Sequence, residues 1–351
     1  MKLIVVGDTL VSSETLIDAA KDINFPGKTG DLEIKTFEWF SDLKKEQFQE
    51  KILEIEKNGP EKVAIPDGII EEMKDADYVL VHIAPISKKM LEAATKLKLI
   101  GTCRGGLEHI ALDTMKEKNI KLIHVIRNAE PVADFTLGLM FTETRNIARA
   151  HYEIKKGNWR KSFSNDEYKT VLTNHTVGLI GLGYIGKLVA KRLNALGVKV
   201  IAYDPFIDKT KIAAEGLRID FLDFDEVIKQ SDILSLHMRL TPETENMINK
   251  DVINNMKPNS YIINTARAGV LNKNDLIDAL KNKRIAGAAL DVSWVEPIEE
   301  NDPLLDLDNI TLTTHIAGDT VDAIPRAPYL LKNVLNDYFE TGTSDMLIKF
   351  K

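Results

Sequence analysis

The stretch "VGLIGLGYIG", residues 177–186, decides the fold, because three glycines follow an apolar run and precede a helical pattern. Gly181, Gly183 and Gly186 form the pattern G-x-G-x-x-G. In a strand–turn–helix unit, the first glycine allows the tight turn, the second lets the backbone approach a pyrophosphate, and the third lets helix and strand pack closely. The amides at the helix N-terminus then face the phosphates. Glycines alone are a weak signal, so the prediction of a dinucleotide site rests on the strand and helix around them.

A second apolar run, "KVIAYDP", ends at Asp204, which lies 18 residues past Gly186. An acidic residue at about this offset accepts hydrogen bonds from the ribose hydroxyls of NAD and repels the 2′-phosphate of NADP. No arginine follows immediately, so NAD is the expected cofactor. The alternative is a glycine-rich turn in an ordinary α/β protein, with Asp204 as a surface turn residue.

Short apolar runs alternate with helical patterns on both sides of this motif, which predicts parallel sheets flanked by helices. We expect an α/β fold of two Rossmann- or flavodoxin-like domains, each a doubly wound parallel sheet, with a cleft between them. The substrate-binding domain would be discontinuous, residues 1–132 plus 321–351, and the NAD-binding domain would span 133–320. The second series has expected strands at 176–180, 199–203, 233–236, 260–264, 287–291 and 310–313.

Three further elements are predicted from hydrophobic spacing and capping residues. A helix should cover 13–21 with Ser12 or Ser13 as its N-cap. One long helix should run from 131 to 155, and a final helix from 320 to 339 should be irregular at its start, near Pro325 and Pro328. The late stretch "DMLIK" could form a last short strand.

Composition narrows the class of protein. The chain has 351 residues and a net charge of −7, so bulk electrostatics do not suggest a nucleic-acid partner. The single cysteine, Cys103, cannot form an intrachain disulfide or belong to a zinc-type cysteine cluster. The first apolar run is too short for a signal peptide, and no run approaches the length of a membrane helix. We expect a cytoplasmic protein with no metal site and no membrane contact.

Three chemically active side chains follow the ends of three strands in the second series: Arg267, Glu296 and His315. Open α/β sheets bind ligands at the carboxyl ends of their strands. Hydride transfer to a 2-keto acid needs a group that holds the carboxylate and polarises the carbonyl, which a guanidinium can do. It also needs a proton donor, usually histidine, and a glutamate can orient that ring. Taken singly, Arg267 could be a salt-bridged surface group, His315 a structural residue and Glu296 simply exposed.

Beyond the glycine motif, the segments "LTPETENMI", "INTARAGVLN", "ALDVSWVEP" and "THIAG" resemble the D-isomer-specific 2-hydroxyacid dehydrogenases over most of residues 131–320. The resemblance implies that Arg267 binds the substrate carboxylate and carbonyl, that His315 is the acid/base, and that Glu296 pairs with His315. A glutamine in place of Glu296 would have suggested formate dehydrogenase. Residues within the matching motifs that we assign to the cofactor, besides the three glycines and Asp204, are Tyr184, Ile185, Thr265, Asp291 and Gly318.

The resemblance is weaker in the first domain. "TCRGGLEHI" lies where the family places a loop whose amides hold the substrate carboxylate, here those of Gly105 and Gly106. The guanidinium of Arg104 could bind a second anionic or hydroxylated part of the substrate, or it could be a surface group of a tight turn. "NAEPVADF" matches the family's element at the start of the helix between the domains. The charged segment 26–62 is longer than in compact members, and its role is not evident.

The expected function is NAD-dependent hydride transfer at C2 of a D-2-hydroxy acid or 2-keto acid, with Arg267 as clamp and His315–Glu296 as acid/base. In the family the loop with Trp159, Arg160 and Phe163 often packs across a dimer interface, so a homodimer is expected. The chain stops soon after the final helix, so we expect no appended regulatory domain of the phosphoglycerate dehydrogenase type. The alternative is an NAD-sensing corepressor or scaffold protein of the same fold. The substrate's identity stays open.

Overall fold

The computed structural model describes residues 1–27 and 30–350. These residues form two compact units, the first made of the described residues within 1–128 and 320–350 and the second of residues 129–319. The predicted boundaries were 132/133 and 320/321. Residues 28 and 29 of the charged segment 26–62 lie outside the described residues.

The first unit begins with a run of alternating strands and helices that supplies a whole parallel sheet. Its strand order is β2-β1-β3-β4-β5, the flavodoxin-like order, and all pairings are parallel. The elements are β1 (Lys2–Asp8), α1 (Ser13–Lys21), β2 (Glu33–Trp39), α2 (Lys45–Asn58), α3 (Ile69–Met73), β3 (Tyr78–Val81), α4 (Lys88–Ala93), β4 (Leu99–Thr102), α5 (Leu112–Glu117) and β5 (Lys121–His124).

The central strands of this sheet are buried along their whole length, as expected for a parallel sheet covered on both faces. Of the two predicted N-caps of α1, Ser12 and Ser13, Ser12 is the cap, and its hydroxyl oxygen accepts a hydrogen bond from the amide of Thr15 at 3.2 Å. The cap satisfies one of the free amides in the first helical turn.

The second unit is a seven-stranded, fully parallel sheet. Its strand order is β12-β11-β10-β9-β6-β7-β8, so the direction of progression reverses between β6 and β9, as in a Rossmann fold. The elements are α6 (Ala129–Arg145), α7 (Ile147–Lys155), β6 (Thr176–Ile180), α8 (Tyr184–Ala195), β7 (Lys199–Tyr203), α9 (Lys209–Ala214), β8 (Asp220–Phe221), α10 (Phe224–Gln230), β9 (Ile233–Leu236), α11 (Lys250–Asn255), β10 (Tyr261–Asn264), α12 (Lys273–Lys281), β11 (Gly287–Leu290) and β12 (Ile310–Leu312).

All six predicted strands of this series are present, and the two sheets confirm the predicted α/β class. The two-residue strand β8 was not predicted, because two residues are too few to show alternation. The predicted single helix 131–155 is wrong: α6 and α7 are separate helices. Between them Asn146 has φ = 58°, a left-handed conformation that interrupts a helix.

The chain then returns to the first unit. Its last helix, α13, runs from Ala327 to Thr341, later than the predicted 320–339. Proline fixes its own φ and disfavours helical backbone in the residue before it, so Pro325 delays the helix while Pro328 fits its first turn. The stretch "DMLIK" forms a single antiparallel bridge between Leu347 and Ile123 of β5 instead of a strand.

A buried ion pair joins the first helices of the second unit to the sheet. Glu143 of α6 is fully buried, and its carboxylate accepts hydrogen bonds from Arg149 of α7 and from the hydroxyl of Thr311 in β12 at 2.7 Å. Arg149 also donates to the side-chain oxygen of Asn146 at 2.8 Å. Burial raises the pKa of Glu143 to about 7, and Arg149 acts in the opposite direction.

Replacing Arg149 by methionine tests this pair. An uncompensated buried charge costs about 3–5 kcal/mol, so we expect the free energy of unfolding to fall by about that much near pH 8. The pKa of Glu143 is about 7 in the folded chain and 4.5 as its ordinary value. The folded state therefore binds the proton more strongly than the unfolded state, and the contribution of Glu143 to stability falls as pH rises from 4.5 to 7. Without Arg149 the folded-state pKa rises further, and the loss should be smaller at pH 5.5 than at pH 8. Urea unfolding at both pH values measures it.

The matched control is Arg326→Met, which removes an exposed arginine and should change stability by no more than about 0.5 kcal/mol. Equal losses for Arg149→Met at the two pH values would show that the charge of Glu143 does not set the cost.

Candidate active site

The glycine loop between β6 and α8 has the close approaches that the sequence predicts. Gly181 has φ = 90°, and a Cβ there would lie 2.9 Å from the backbone of His237. A Cβ on Gly186 would lie 2.5 Å from the carbonyl oxygen of Gly181. Around Gly183, by contrast, no described atom other than those of Gly183 and its two chain neighbours lies within 4 Å of a Cβ position. Two glycines are therefore required by the protein's own packing, and the third leaves open space beside the backbone.

That open space lies at the N-terminus of α8. Gly183 is the N-cap of this helix and has no side chain to accept from the first-turn amides, where Tyr184 and Ile185 stand. Helix N-termini with free amides and a positive dipole end bind phosphate groups. The loop therefore fits the pyrophosphate of a dinucleotide.

Asp204 lies directly past the end of β7, next to the glycine loop. One carboxylate oxygen accepts from the amide of Leu182 at 2.7 Å, and the other accepts from the amide of Phe206 at 2.9 Å. A carboxylate has about four acceptor sites, so both oxygens can accept further hydrogen bonds from ribose hydroxyls. The contact with Leu182 fixes Asp204 relative to the phosphate-binding loop.

Arg267 stands on a turn that Asn264 organises. The side-chain oxygen of Asn264 accepts from the amide of Ala266 at 2.9 Å, and its nitrogen donates to the carbonyl of Arg267 at 2.9 Å. The guanidinium is exposed and donates to the carbonyl of Ala266 at 2.7 Å. Within residues 1–27 and 30–350 it forms no ion pair, so Arg267 is not the salt-bridged surface group that was the alternative. Its forked donors are available to a carboxylate or carbonyl.

His315 and Glu296 form a hydrogen-bonded pair. Nδ1 of His315 lies 2.8 Å from Oε2 of Glu296, and both side chains are a little under half exposed. The other oxygen of Glu296 accepts from the amide of Ser293 at 3.0 Å. The Ser293 amide, the His315 ring and the charge of Arg267 together lower the pKa of Glu296, with the amide contributing most. Glu296 is therefore ionised at neutral pH and is placed to stabilise a protonated ring.

Asp291 at the end of β11 holds the loop that carries His315. It is 1 % exposed, and its oxygens accept from the hydroxyl of Thr313 at 2.6 Å and from the amides of Ile316 and Ala317 at 3.0 and 2.8 Å. These contacts lie on both sides of His315, which itself has φ = 58°. Cofactor binding stays a prediction for Asp291, and its contacts with these donors position the histidine loop.

The remaining predicted residues of the second unit lie near these loops. Thr265 is 9 % exposed, and its hydroxyl is 2.9 Å from that of Thr136 on α6. Gly318 is half-buried in the loop after His315. Because β10, β11 and β12 are neighbours, the loops with Arg267, Glu296 and His315 leave the sheet at one edge. The charge of Arg267 acts on Glu296, which joins the three residues electrostatically.

Arg104, Gly105 and Gly106 belong to the first unit, after β4. The guanidinium of Arg104 donates to Glu56 of α2 at 2.7 Å and lies 3.6 Å from Glu108. Arg104 is therefore paired inside its own unit. A Cβ on Gly106 would lie 2.7 Å from the Arg104 guanidinium, whereas the nearest atom to one on Gly105 is 4.0 Å away.

Two residues of this region were missed by sequence reasoning. Asn264 shapes the turn of Arg267, and its position two residues before the amide it binds is a local signal that could have been found. His237 is half-buried, its backbone lies against Gly181 of the glycine loop, and desolvation lowers its pKa to about 4. No sequence pattern marked it. The described part of the chain contains no cluster of side chains able to hold a metal ion and no helix long and apolar enough to cross a membrane.

Comparison with known proteins places this site in a family. Residues 137–317 match the sequence model described as "D-isomer specific 2-hydroxyacid dehydrogenase, NAD binding domain". The chain is 38 % identical to the D-3-phosphoglycerate dehydrogenase of Methanocaldococcus jannaschii, over 73 % of this chain and 48 % of that protein. It is also 38 % identical to the glyoxylate reductase of Thermofilum pendens, over 74 % of this chain and 77 % of that protein.

The match spans about half the length of the phosphoglycerate dehydrogenases and more of the shorter reductase. Among solved structures, the NAD-complexed D-isomer specific 2-hydroxyacid dehydrogenase of Lactobacillus delbrueckii ssp. bulgaricus has the same fold. Its TM-score is 0.68 at 24 % identity, covering 99 % of this chain and all of that one.

The contrast between Gly183 and Gly186 gives a test of the cofactor loop. Gly183→Ala adds a methyl group where no protein atom lies, so stability should change by less than about 1 kcal/mol. The same methyl narrows the approach to the phosphates, so the Kd of NADH should rise about tenfold or more, or ~1.4 kcal/mol. Gly186→Ala meets the carbonyl of Gly181 and should lose about 1–3 kcal/mol of stability instead.

Urea unfolding of the free protein and fluorescence titration with NADH measure the two effects. Wild-type affinity in a stable Gly183→Ala variant would remove Gly183 from the cofactor site.

Proposed function

The chain belongs to the D-isomer specific 2-hydroxyacid dehydrogenase family, and on this basis we propose that it is an NAD-dependent oxidoreductase that interconverts a D-2-hydroxy acid and its 2-keto acid. The observation that carries the proposal is the His315–Glu296 hydrogen bond at 2.8 Å, beside an exposed guanidinium, Arg267, that has no carboxylate partner in the described part of the chain. A proton donor and an anion-binding group thus occur together at the edge where the cofactor loop lies.

Each residue has a role that follows from its contacts. Bound NADH supplies the hydride. Arg267 binds the carboxylate of the keto acid and polarises its carbonyl, because a guanidinium presents paired donors. His315 donates a proton to the carbonyl oxygen through Nε2, since Nδ1 is bonded to Glu296. Glu296 orients the ring and stabilises its protonated form, and Asp291 holds the loop in place.

The amides of Gly105 and Gly106 are proposed to bind the substrate carboxylate as well, since nothing crowds Gly105 on its open side. We also propose that the chain forms a homodimer and works in the cytoplasm. Exposed apolar side chains on α7 and the loop after it, Ile147, Tyr152 and Trp159, support the first point. The single, buried cysteine is compatible with the second.

Replacement of His315 by alanine tests the acid/base role. Loss of a general acid lowers turnover by about 10²- to 10⁴-fold, so kcat for keto-acid reduction should fall within that range. The Kd of NADH, measured by fluorescence titration, should stay within about twofold of wild type, because the cofactor loop is untouched. Unchanged kcat would remove His315 from the mechanism.

Glu296→Gln keeps a side chain that can bond to His315 but removes the negative charge. The protonated ring then loses its counter-ion, so the kcat of reduction should fall more at pH 8 than at pH 6, where protons are abundant. A pH–rate profile of wild type and variant measures this. A loss of equal size at both pH values would mean that Glu296 only orients the ring.

The activity itself is tested by NADH oxidation against glyoxylate, hydroxypyruvate, pyruvate, phosphohydroxypyruvate and longer 2-keto acids. NADPH serves as the control, and a clear preference for it would contradict the role of Asp204. Negligible turnover with every substrate, despite NADH binding, would instead favour a corepressor or scaffold of the same fold.

A further inference from the structure

Arg127 of the first unit is a cation without a partner among the residues that the structure describes. It follows β5, at the carboxyl edge of the sheet, and is half-buried. Among the arginines of the described chain, Arg127 is the one that is at least half-buried and yet forms neither a hydrogen bond nor an ion pair. Several buried side-chain nitrogens and oxygens of the described chain lack a hydrogen-bond partner, and those of Arg127 are not among them. The guanidinium nitrogens of Arg127 therefore keep some exposure to solvent. A ligand from solvent can therefore reach them too.

The loop proposed to bind the substrate carboxylate lies beside this arginine. Strands β4 and β5 are neighbours, with Thr102 opposite His124. A Cβ on Gly105 would lie 4.0 Å from the carbonyl oxygen of Val125, two residues before Arg127. The segment after β5 and the Arg104–Gly106 loop therefore run side by side at the same edge.

Nearby carboxylates are already engaged. Glu56 accepts from Arg104 at 2.7 Å. Asp8 bonds to the ring of His82 at 3.0 Å and to three backbone amides, those of Leu10, Val11 and Ile83. Burial first, and the charge of Arg104 second, lower the pKa of Arg127. A partly desolvated cation next to another cation is costly unless an anion pairs with it.

We propose that Arg127 binds a second acidic group of the substrate, so that the chain prefers 2-keto acids that carry an additional carboxylate or phosphate. This inference rests on the proposed function. The forked guanidinium suits either oxyanion. The role first considered for Arg104 thereby moves to its neighbour, because Arg104 is fixed by Glu56 and no described residue pairs with Arg127.

Matched substrate pairs test the proposal in the wild-type protein. Pyruvate and oxaloacetate differ by one carboxylate, and hydroxypyruvate and phosphohydroxypyruvate differ by one phosphate. We expect kcat/KM with NADH to be about 10- to 100-fold higher for the member with the additional acidic group in at least one pair, the range of a charge-assisted hydrogen bond. The pair that responds distinguishes a carboxylate from a phosphate ligand. No dianion preference in either pair overturns the proposal.

Substitutions of Arg127 then assign the preference. Arg127→Met should raise the KM for the preferred dianion about 10- to 100-fold and leave the KM for glyoxylate within about twofold. Arg127→Lys should recover part of the loss, because it keeps the charge without the fork. Arg326→Met, which removes an exposed arginine of the same unit, is the control and should change neither constant.

Binding without turnover gives a second readout. With NAD⁺ in place of NADH the keto acid cannot be reduced, so calorimetry yields the Kd of oxaloacetate and of pyruvate directly. Arg127→Met should weaken oxaloacetate binding and not pyruvate binding. The role of Arg127 is overturned if Arg127→Met weakens the binding of oxaloacetate and of pyruvate equally. It is also overturned if the variant raises the KM for glyoxylate as much as the KM for the preferred substrate. If wild type turns over none of these acids, the proposed function fails, whereas turnover without dianion preference refutes the inference about Arg127 alone.

Discussion

The buried carboxylate of Asp291 is the constraint on which the arrangement of the active residues depends. It stands at the end of β11 and accepts from the strand-end hydroxyl of Thr313 and from two amides just past His315. Such a carboxylate is costly to desolvate, and the cost is offset only while all three donors are present. The loop is therefore held where the ring of His315 meets Glu296, instead of sampling other conformations.

The same arrangement recurs elsewhere in the chain: a short side chain at a strand end fixes the loop that follows. Asn264 does this for the turn of Arg267, and Asp204 does it for the phosphate-binding loop through the amide of Leu182. In the first unit, Asp8 closes the turn after β1 with two amides. In each case the hydrogen bonds between the parallel strands position the side chain at the strand end. That side chain in turn positions a loop that carries polar groups.

Sequence patterns predicted what is local and periodic. The glycine spacing, the apolar runs and the acid after β7 depend on neighbouring residues, so the sheet class and the cofactor loop could be predicted. The break at Asn146 could not, because it depends on contacts with Arg149 and with Asn165, 19 residues away. The pairing of Arg104 with Glu56, 48 residues earlier, was equally hidden. Arg127 gave no signal at all, since an unpaired arginine looks the same in sequence as a paired one.

The helix that returns to the first unit has a consequence for synthesis. In α13, the side chain of Asn336 bonds to the backbone of Asp22 and Asn24, and Tyr329 donates to Asp18. The last residues also bond to β5 through the carbonyls of Leu122 and Met346. The second unit is contiguous, so all of its residues leave the ribosome before the first unit can complete its sheet packing. Domains fold as units during translation, and here the earlier part of the chain must wait for the latest part.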